Sequence, residues 1–262
     1  MRDNWSSGKP YEEFMGRWST IISKDFINWI NPQGKQHWLD IGCGTGALSS
    51  AIIENAKPSH LTSVDLSEGF INTAQARLGN SAHCVVGDAT SLAFGNSTFD
   101  YVVSGLFLNF MSQPRTALRE MKRVAKNEGT VATFVWDYQE KMELLQYFWD
   151  CAVELDPTRS KLHESVRFSD FNAEYINQLF IAAELPEAIM SQIEIEMQFQ
   201  SFEDYWLPFL GGQGPASSYV QSLDDAHKTR LSEMLKERLP VRQDGTISLV
   251  ARAWAAKCAI GV

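Results

Sequence analysis

Leu39-Asp40-Ile41-Gly42-Cys43-Gly44-Thr45-Gly46 sits where an apolar run gives way to a helical pattern, and its reading decides the fold. Residues 36–41 have the makeup of a short buried strand. Residues 47–55 carry apolar side chains at helical spacing, so the glycines fall in a tight strand-to-helix turn. Glycine lets such a turn adopt backbone angles that a Cβ would forbid and lets it come close to a ligand.

Two ligand classes use a turn of this kind. Gly42-x-Gly44-x-x-Ala47 also fits the dinucleotide fingerprint, in which a pyrophosphate lies on amide groups at a helix N-terminus. Asp40 favours the other class. A carboxylate pointing into the same pocket would repel a pyrophosphate and attract a ligand that carries an ammonium and a sulfonium. S-adenosyl-L-methionine carries both.

Further acids follow at the ends of apolar runs. Leu61-Thr62-Ser63-Val64-Asp65 reads as a second strand, and a parallel neighbour would bring Asp65 beside the glycine turn, where it could take both ribose hydroxyls. NAD sites use the same device, so Asp65 points to a nucleoside without naming it. Gly87-Asp88-Ala89 follows a strand over 82–86, and an acid there can accept a hydrogen bond from an adenine amino group. Phe99-Asp100-Tyr101-Val102-Val103-Ser104 supplies a fourth strand running to the same rim.

Together these segments resemble the class I S-adenosylmethionine-dependent methyltransferases, in particular the ubiquinone/menaquinone-biosynthesis-like C-methyltransferases of the methyltransferase type 11 group. The resemblance rests on Leu39 to Gly46, Val64 to Leu66, Gly87 to Ala89 with Leu92-Ala93-Phe94, Phe99 to Ser104, and Gly129 to Val135. It covers about the first half of the chain. It implies an α/β Rossmann-like fold: a seven-stranded, mostly parallel sheet with an antiparallel last strand, helices on both faces, and helical cap insertions. It also implies that Gly42, Gly44 and Gly46 pass the methionine part of the cofactor, that Asp65 binds the ribose and Asp88 the adenine amino group, and that Ala89 packs on the adenine ring. Asp40, Leu66 and Ser104 belong to the same cofactor set.

Composition narrows the rest. With 262 residues and a net charge of −9, one α/β domain with insertions is expected, and a nucleic-acid partner held by phosphate neutralisation is not. Residues 1–10 are polar, and no run of 18 to 20 apolar residues occurs, so neither a leader nor a membrane partner is expected and the cytoplasm is the default location. Cys43, Cys84, Cys151 and Cys258 form no CxxC pair, so no metal is expected. Cys43, inside the turn, reads as a small packed residue rather than a reactive thiol. Oligomeric state is not legible.

The expected organisation is one methyltransferase domain over 1–262. An N-terminal helical flap over 1–35 precedes a cofactor-binding core over 36–136, and helical insertions over 137–185 and 202–240 form a substrate cap. In the flap, Tyr11, Phe14 and Trp18 share a helical face. That face either packs, or closes over the ligand with Tyr11 or Trp18 stacking on it and Arg17 pairing with the methionine carboxylate. A strand is expected over 129–135, a helix over 141–155, a polar loop over 156–169, a helix over 172–184, and strands over 189–199 and 247–259. Between those strands lies Gly211-Gly212-Gln213-Gly214-Pro215, either a hinge for the cap or a surface turn between packed helices.

Methyl transfer from a sulfonium is an in-line displacement with a good leaving group, so positioning carries most of it. No serine-histidine-acid triad, metal motif or P-loop is present, and neither Tyr101 nor Tyr138 has a lysine four positions on, as a short-chain dehydrogenase would want. Ser104-Gly105-Leu106-Phe107 stands where enzymes that methylate base nitrogens or glutamine amides carry an acid or asparagine, two prolines and an aromatic. A small-molecule acceptor is therefore expected. Phe107, Asn109, Trp136, Tyr138, Trp149, Tyr205 and Trp206 are the candidates to touch it, with His163 and then Tyr138 as general base. Two other readings stay open: a non-catalytic protein that binds S-adenosylmethionine or S-adenosylhomocysteine as a sensor or partner subunit, and an NAD-dependent oxidoreductase.

Overall fold

The computed structural model describes residues 12–211 and 214–261. Seven strands, β1 (His37–Ile41), β2 (His60–Asp65), β3 (His83–Val86), β4 (Phe99–Gly105), β5 (Ala125–Trp136), β6 (Ile189–Phe199) and β7 (Ile247–Ala259), form one sheet in the order β3-β2-β1-β4-β5-β7-β6. The pairs β1/β2, β2/β3, β1/β4 and β4/β5 are parallel, and β7 runs antiparallel to β5. This is the expected Rossmann-like α/β sheet with an antiparallel last strand.

Two compact units divide the chain. One comprises Trp18–Trp136, Asp170–Ile193 and the segment from Ala253 on; the other comprises the residues up to Arg17, Asp137–Ser169 and Glu194–Arg252. In the first, strand alternation sorts side chains to two faces. Leu39 and Ile41 join Val64, Val102, Val131 and Val135 in a core with the helices Pro114–Val124 and Ala173–Ala182. Trp38 and Phe134 point the other way. There Trp38 lies flat on Tyr101, with centroids 4.2 Å apart, and Phe134 meets Phe26 of the helix Arg17–Ile30 at 4.5 Å. Helices thus cover both faces.

In the second unit the helices Glu143–Leu155, Phe202–Trp206, Gly214–Ser222 and Asp225–Arg238 pack through rings. Phe148 stacks on Phe209 at 4.5 Å, Phe14 meets the edge of Phe209 at 5.2 Å, and the Tyr205 hydroxyl donates to Leu144 O at 2.9 Å. Arg252 is buried beside Asp137, its Nε donating to Oδ2 at 2.8 Å.

Three local expectations are corrected. The loop over 156–169 holds a 3₁₀ stretch, Pro157–Leu162, and a short helix, Glu164–Arg167, because Asp156 and His163 cap them, accepting from Thr158 N and Ser165 N. The strand expected from residue 129 begins at Ala125. It carries a bulge opposite Phe99 and Tyr101, with Glu128 at φ 64 and Gly129 so placed that a Cβ would lie 2.8 Å from Lys126 O. The helix over 47–55 is α-helical only for Ala47–Ala51 and then widens into a π turn, Ile52–Ala56. Tyr11, Gly212 and Gln213 lie outside the described residues.

Phe26 is fully buried. Phe26→Ala should cost about 3–5 kcal/mol of stability by the usual price of a deleted core ring, read as a lower urea midpoint with an unchanged slope.

Candidate functional site

A cleft of about 320 Å³ opens at the carboxyl ends of β1, β2 and β3 and under the segment after β4. Its walls include Ile41, Gly42, Asp65, Leu66, Gly87, Asp88, Ala89, Thr90, Phe107, Phe110 and Met111. The sheet order puts it there. The chain leaves β1 for β2 on one side and reaches β4 on the other, and the crevice outside such a reversal is where open α/β sheets bind ligands.

Hydrogen bonds to the end of β2 fix the glycine turn. Gly42 N and Cys43 N both donate to Val64 O, at 2.8 and 3.0 Å. Gly44 N donates to Asp65 Oδ2 at 3.0 Å, while Asp65 Oδ1 accepts from Ser67 N at 2.8 Å. Burial raises the Asp65 pKa and outweighs these bonds, which lower it. Gly42 has φ 68 and no room for a side chain, since a Cβ would lie 2.3 Å from the Phe107 ring. Gly44, at φ 54, has open space beside its Cα.

Asp88 is exposed on the opposite wall. Its Oδ1 accepts from Thr90 N at 2.8 Å and Thr90 Oγ1 at 2.7 Å, and these bonds hold its carboxyl below the usual carboxylate range. Ala89 beside it is buried, and Leu66 is 73% exposed.

Asp40 differs from its sequence reading. It does not line the cleft; it is wholly buried under the glycine turn. Oδ2 accepts from Ser49 Oγ at 2.6 Å, Ser49 and Ser63 hydroxyls lie 2.8 Å apart, and Oδ1 has no partner among the described residues. Desolvation dominates there and pushes the Asp40 pKa up to about 7. Burial likewise pushes the Cys43 thiol far up, which fits a packed residue and not a nucleophile.

Other sequence candidates are placed elsewhere. Ser104 is buried, its hydroxyl 3.0 Å from that of Thr133 across the β4/β5 pair. Gly44, Gly46 and Trp18 are not on the cleft wall, and Trp18 is buried. Asn109 lies in the turn Leu108–Phe110, whose flanking Phe107 and Met111 line the cleft. It is buried, with neither Oδ1 nor Nδ2 partnered among the described residues. Trp136 ends β5 opposite Ala253 and is buried.

The remaining candidates belong to the second unit. Arg17 Nη1 is bonded to both Asp204 carboxylate oxygens, at 2.9 and 3.1 Å, and its guanidinium lies over Phe199. His163 caps Glu164–Arg167 through Nδ1, and burial lowers its pKa. Tyr138 stacks on Phe168, Trp149 and Tyr205 are fully buried, and Trp206 stacks on Phe202. For His163, Trp149 and Tyr205 the geometry is that of packing and capping. Thr90, Phe110, Met111 and Gln113 line the cleft without having been singled out. The Asp-x-Thr spacing and the proline-led helix start at Pro114 were the available signals for them.

Gly42→Ala should lose stability and ligand affinity, and adding Phe107→Ala should restore only part of either, because φ 68 stays unfavourable once the clash is gone. Asp40 gives a pH signature. Its folded pKa exceeds the unfolded one, so the folded state binds the extra proton and stability declines as pH rises from about 4 to about 7. Asp40→Asn mimics the protonated form. Urea titrations should show it matching wild type near pH 4 and exceeding it above pH 7; equal stability at both ends would refute the placement.

Residues 39–133 match the family model described as "Methyltransferase domain". The demethylmenaquinone methyltransferase of Leptospira interrogans is 33% identical over 142 residues, covering 49% of this chain and 57% of the relative. The chain spans about half the length of the curated relatives it matches. Among solved structures, the YcgJ protein of Bacillus subtilis superposes with a TM-score of 0.56 at 18% identity over 94% of this chain and 99% of that one. Phosphoethanolamine N-methyltransferase 2 of Haemonchus contortus, in complex with phosphomonomethylethanolamine and S-adenosylhomocysteine, gives 0.56 at 15% identity over 97% and 56%. Residues 39–133 therefore carry a methyltransferase domain, and over this stretch and its flanks the chain is similar to the demethylmenaquinone and ubiquinone/menaquinone-biosynthesis C-methyltransferases.

Proposed function

We propose that this chain transfers a methyl group from S-adenosylmethionine to a small, partly apolar acceptor. The observation that carries the reading is the cleft with Asp65 on one wall and Asp88 with Ala89 on the other, closed at its inner end by Gly42. Those residues suit the group. Two acids at adjacent strand ends offer acceptors for ribose hydroxyls and for an adenine amino group, and Leu66 and Ala89 offer apolar faces for the adenine ring.

When bound, S-adenosylmethionine supplies an electrophilic methyl carbon on a sulfonium. The chain's residues would then hold and shield. Asp65 and Asp88 bind the nucleoside, and Phe107, Phe110 and Met111 exclude water from the reacting carbon. Among the described residues, Asp65 and Asp88 are the acids on the cleft wall and no histidine lies there, so positioning does the work. The acceptor must bring a nucleophile that needs little help from a base. The name of the Leptospira relative favours a ring-bearing, apolar acceptor, and the phenylalanine and methionine wall supports that class. Asn109, buried with its amide unpartnered, is the side chain we assign to a polar atom of the acceptor. The same lack of a base on the wall favours, as second reading, a protein that binds the cofactor without turning it over.

Calorimetric titration with S-adenosylhomocysteine and, separately, NAD should show micromolar binding of the former alone; NAD binding alone would overturn the reading. Asp65→Ala should weaken S-adenosylhomocysteine binding about tenfold or more, as loss of charge-assisted hydrogen bonds does. Formation of S-adenosylhomocysteine with some member of a panel of hydroxylated aromatic acceptors would separate the enzyme from the sensor.

A further inference from the structure

The cleft wall formed by Asp88, Ala89 and Thr90 has a weakness. Its own hydrogen bonds are local: Thr90 bonds to Asp88, and Ser91 N donates to Asp88 O at 3.0 Å. At its start, Gly87 N donates to Asp65 O at 3.0 Å. What fixes the far side is a pair of residues on the helix Pro114–Val124, well away from the cleft lining. Glu120 Oε2 accepts from Leu92 N at 2.8 Å. Arg123 Nη2 donates to Leu92 O at 2.9 Å, and its Nη1 donates to Phe94 O at 2.7 Å and Asn96 Oδ1 at 2.9 Å. Arg123 also forms two parallel bonds to Glu120, Nε to Oε1 and Nη2 to Oε2, both 2.7 Å. Leu92 is therefore gripped at its N–H by the acid and at its carbonyl by the base of one ion pair, and its side chain is buried.

The pair is built for geometry more than for strength. Both side chains are partly exposed, at 31% for Arg123 and 18% for Glu120, and a pair on one helix turn at such exposure adds little stability by itself. The planar guanidinium, however, fixes the carboxylate and the carbonyls of Leu92 and Phe94 in one frame, as a lysine could not. The helix that carries it is anchored by Ala117, Leu118, Met121 and Val124, all fully buried. The frame is thus referred to the sheet core, and the wall inherits its position from it.

Resting on the cofactor reading above, we infer that Glu120 and Arg123 are positioning residues for nucleobase recognition: with the start of the wall tied to β2 through Gly87, they hold its far end from Leu92 to Asn96, and so the orientation of Asp88–Ala89 and the preference for a 6-amino purine. They touch no ligand. Their removal loosens the wall, so the cost falls on the base and not on the methionine part or the methyl-transfer step.

The test compares S-adenosylhomocysteine with its inosine analogue, which carries an oxo group in place of the 6-amino group, by calorimetry on wild type, Arg123→Ala and Glu120→Gln. Wild type should prefer the adenine compound. Both variants should bind it about tenfold more weakly, near the loss of one good hydrogen bond, with the preference ratio moving toward one, KM for S-adenosylmethionine raised and kcat at saturation unchanged. A merely structural pair would lower the unfolding midpoint and leave that ratio alone. Folded variants with the wild-type ratio would overturn the inference. If Arg123→Ala does not fold, Glu120→Gln, nearly isosteric, reads the same ratio. Failure of wild type to bind S-adenosylhomocysteine at all would instead overturn the cofactor reading, and the inference with it.

Discussion

The Asp65 carboxylate is the contact on which the cleft depends. One oxygen accepts from Gly44 N in the glycine turn and the other from Ser67 N at the start of the next helix. A residue at the end of one strand therefore ties its neighbour's turn to its own outgoing helix. Parallel pairing of β1 and β2 in register, with Ile41 beside Val64, brings the acid within reach. Gly44 N then donates to it at 3.0 Å. A side chain usually assigned to a ligand here also organises the backbone that faces the ligand, so both duties compete for the same lone pairs. Each carboxylate oxygen has two, which leaves acceptor capacity after both backbone bonds are made.

Much of the first half was legible because its signals are local. The glycines and the acids at strand ends mark element boundaries by backbone chemistry that operates within a few residues. Strand boundaries were read to within a residue or two at β1, β2, β3 and β4. What sequence could not show was the side-chain surroundings. Asp40 reads as a ligand acid from its place before the glycines, yet strand alternation sends it to the face opposite Leu39 and Ile41, under the helix that carries Ser49. Tyr205 and Trp149 read as acceptor contacts because aromatic rings suit both pockets and cores, and only packing tells the two apart.

The buried chain of Asp40, Ser49 and Ser63 shows why one acid can matter without facing the cleft. A carboxyl group with one unpartnered oxygen in the interior costs stability in its charged form. An apolar side chain of similar size would avoid that cost. The group nevertheless sits directly below the turn, bonded to the helix that leaves it. Burial does most to raise its pKa, and the nearby Asp65 carboxylate adds to that upward pressure.

The two walls of the cleft are held by different means, and this asymmetry bears on how the site works. The Gly42–Asp65 side is fixed by backbone bonds between adjacent strands, which change little without disturbing the sheet. The Asp88–Ala89 side follows β3, whose residues are half-exposed or exposed; its start is tied to β2 through Gly87, and its far end is held by side chains of the helix Pro114–Val124 that grip Leu92, four positions after Asp88. Bonds of the second kind come from two side chains and can be altered by single substitutions. The strand-anchored wall is accordingly suited to binding parts of a cofactor that never vary, and the side-chain-anchored wall to setting how tightly the base is gripped.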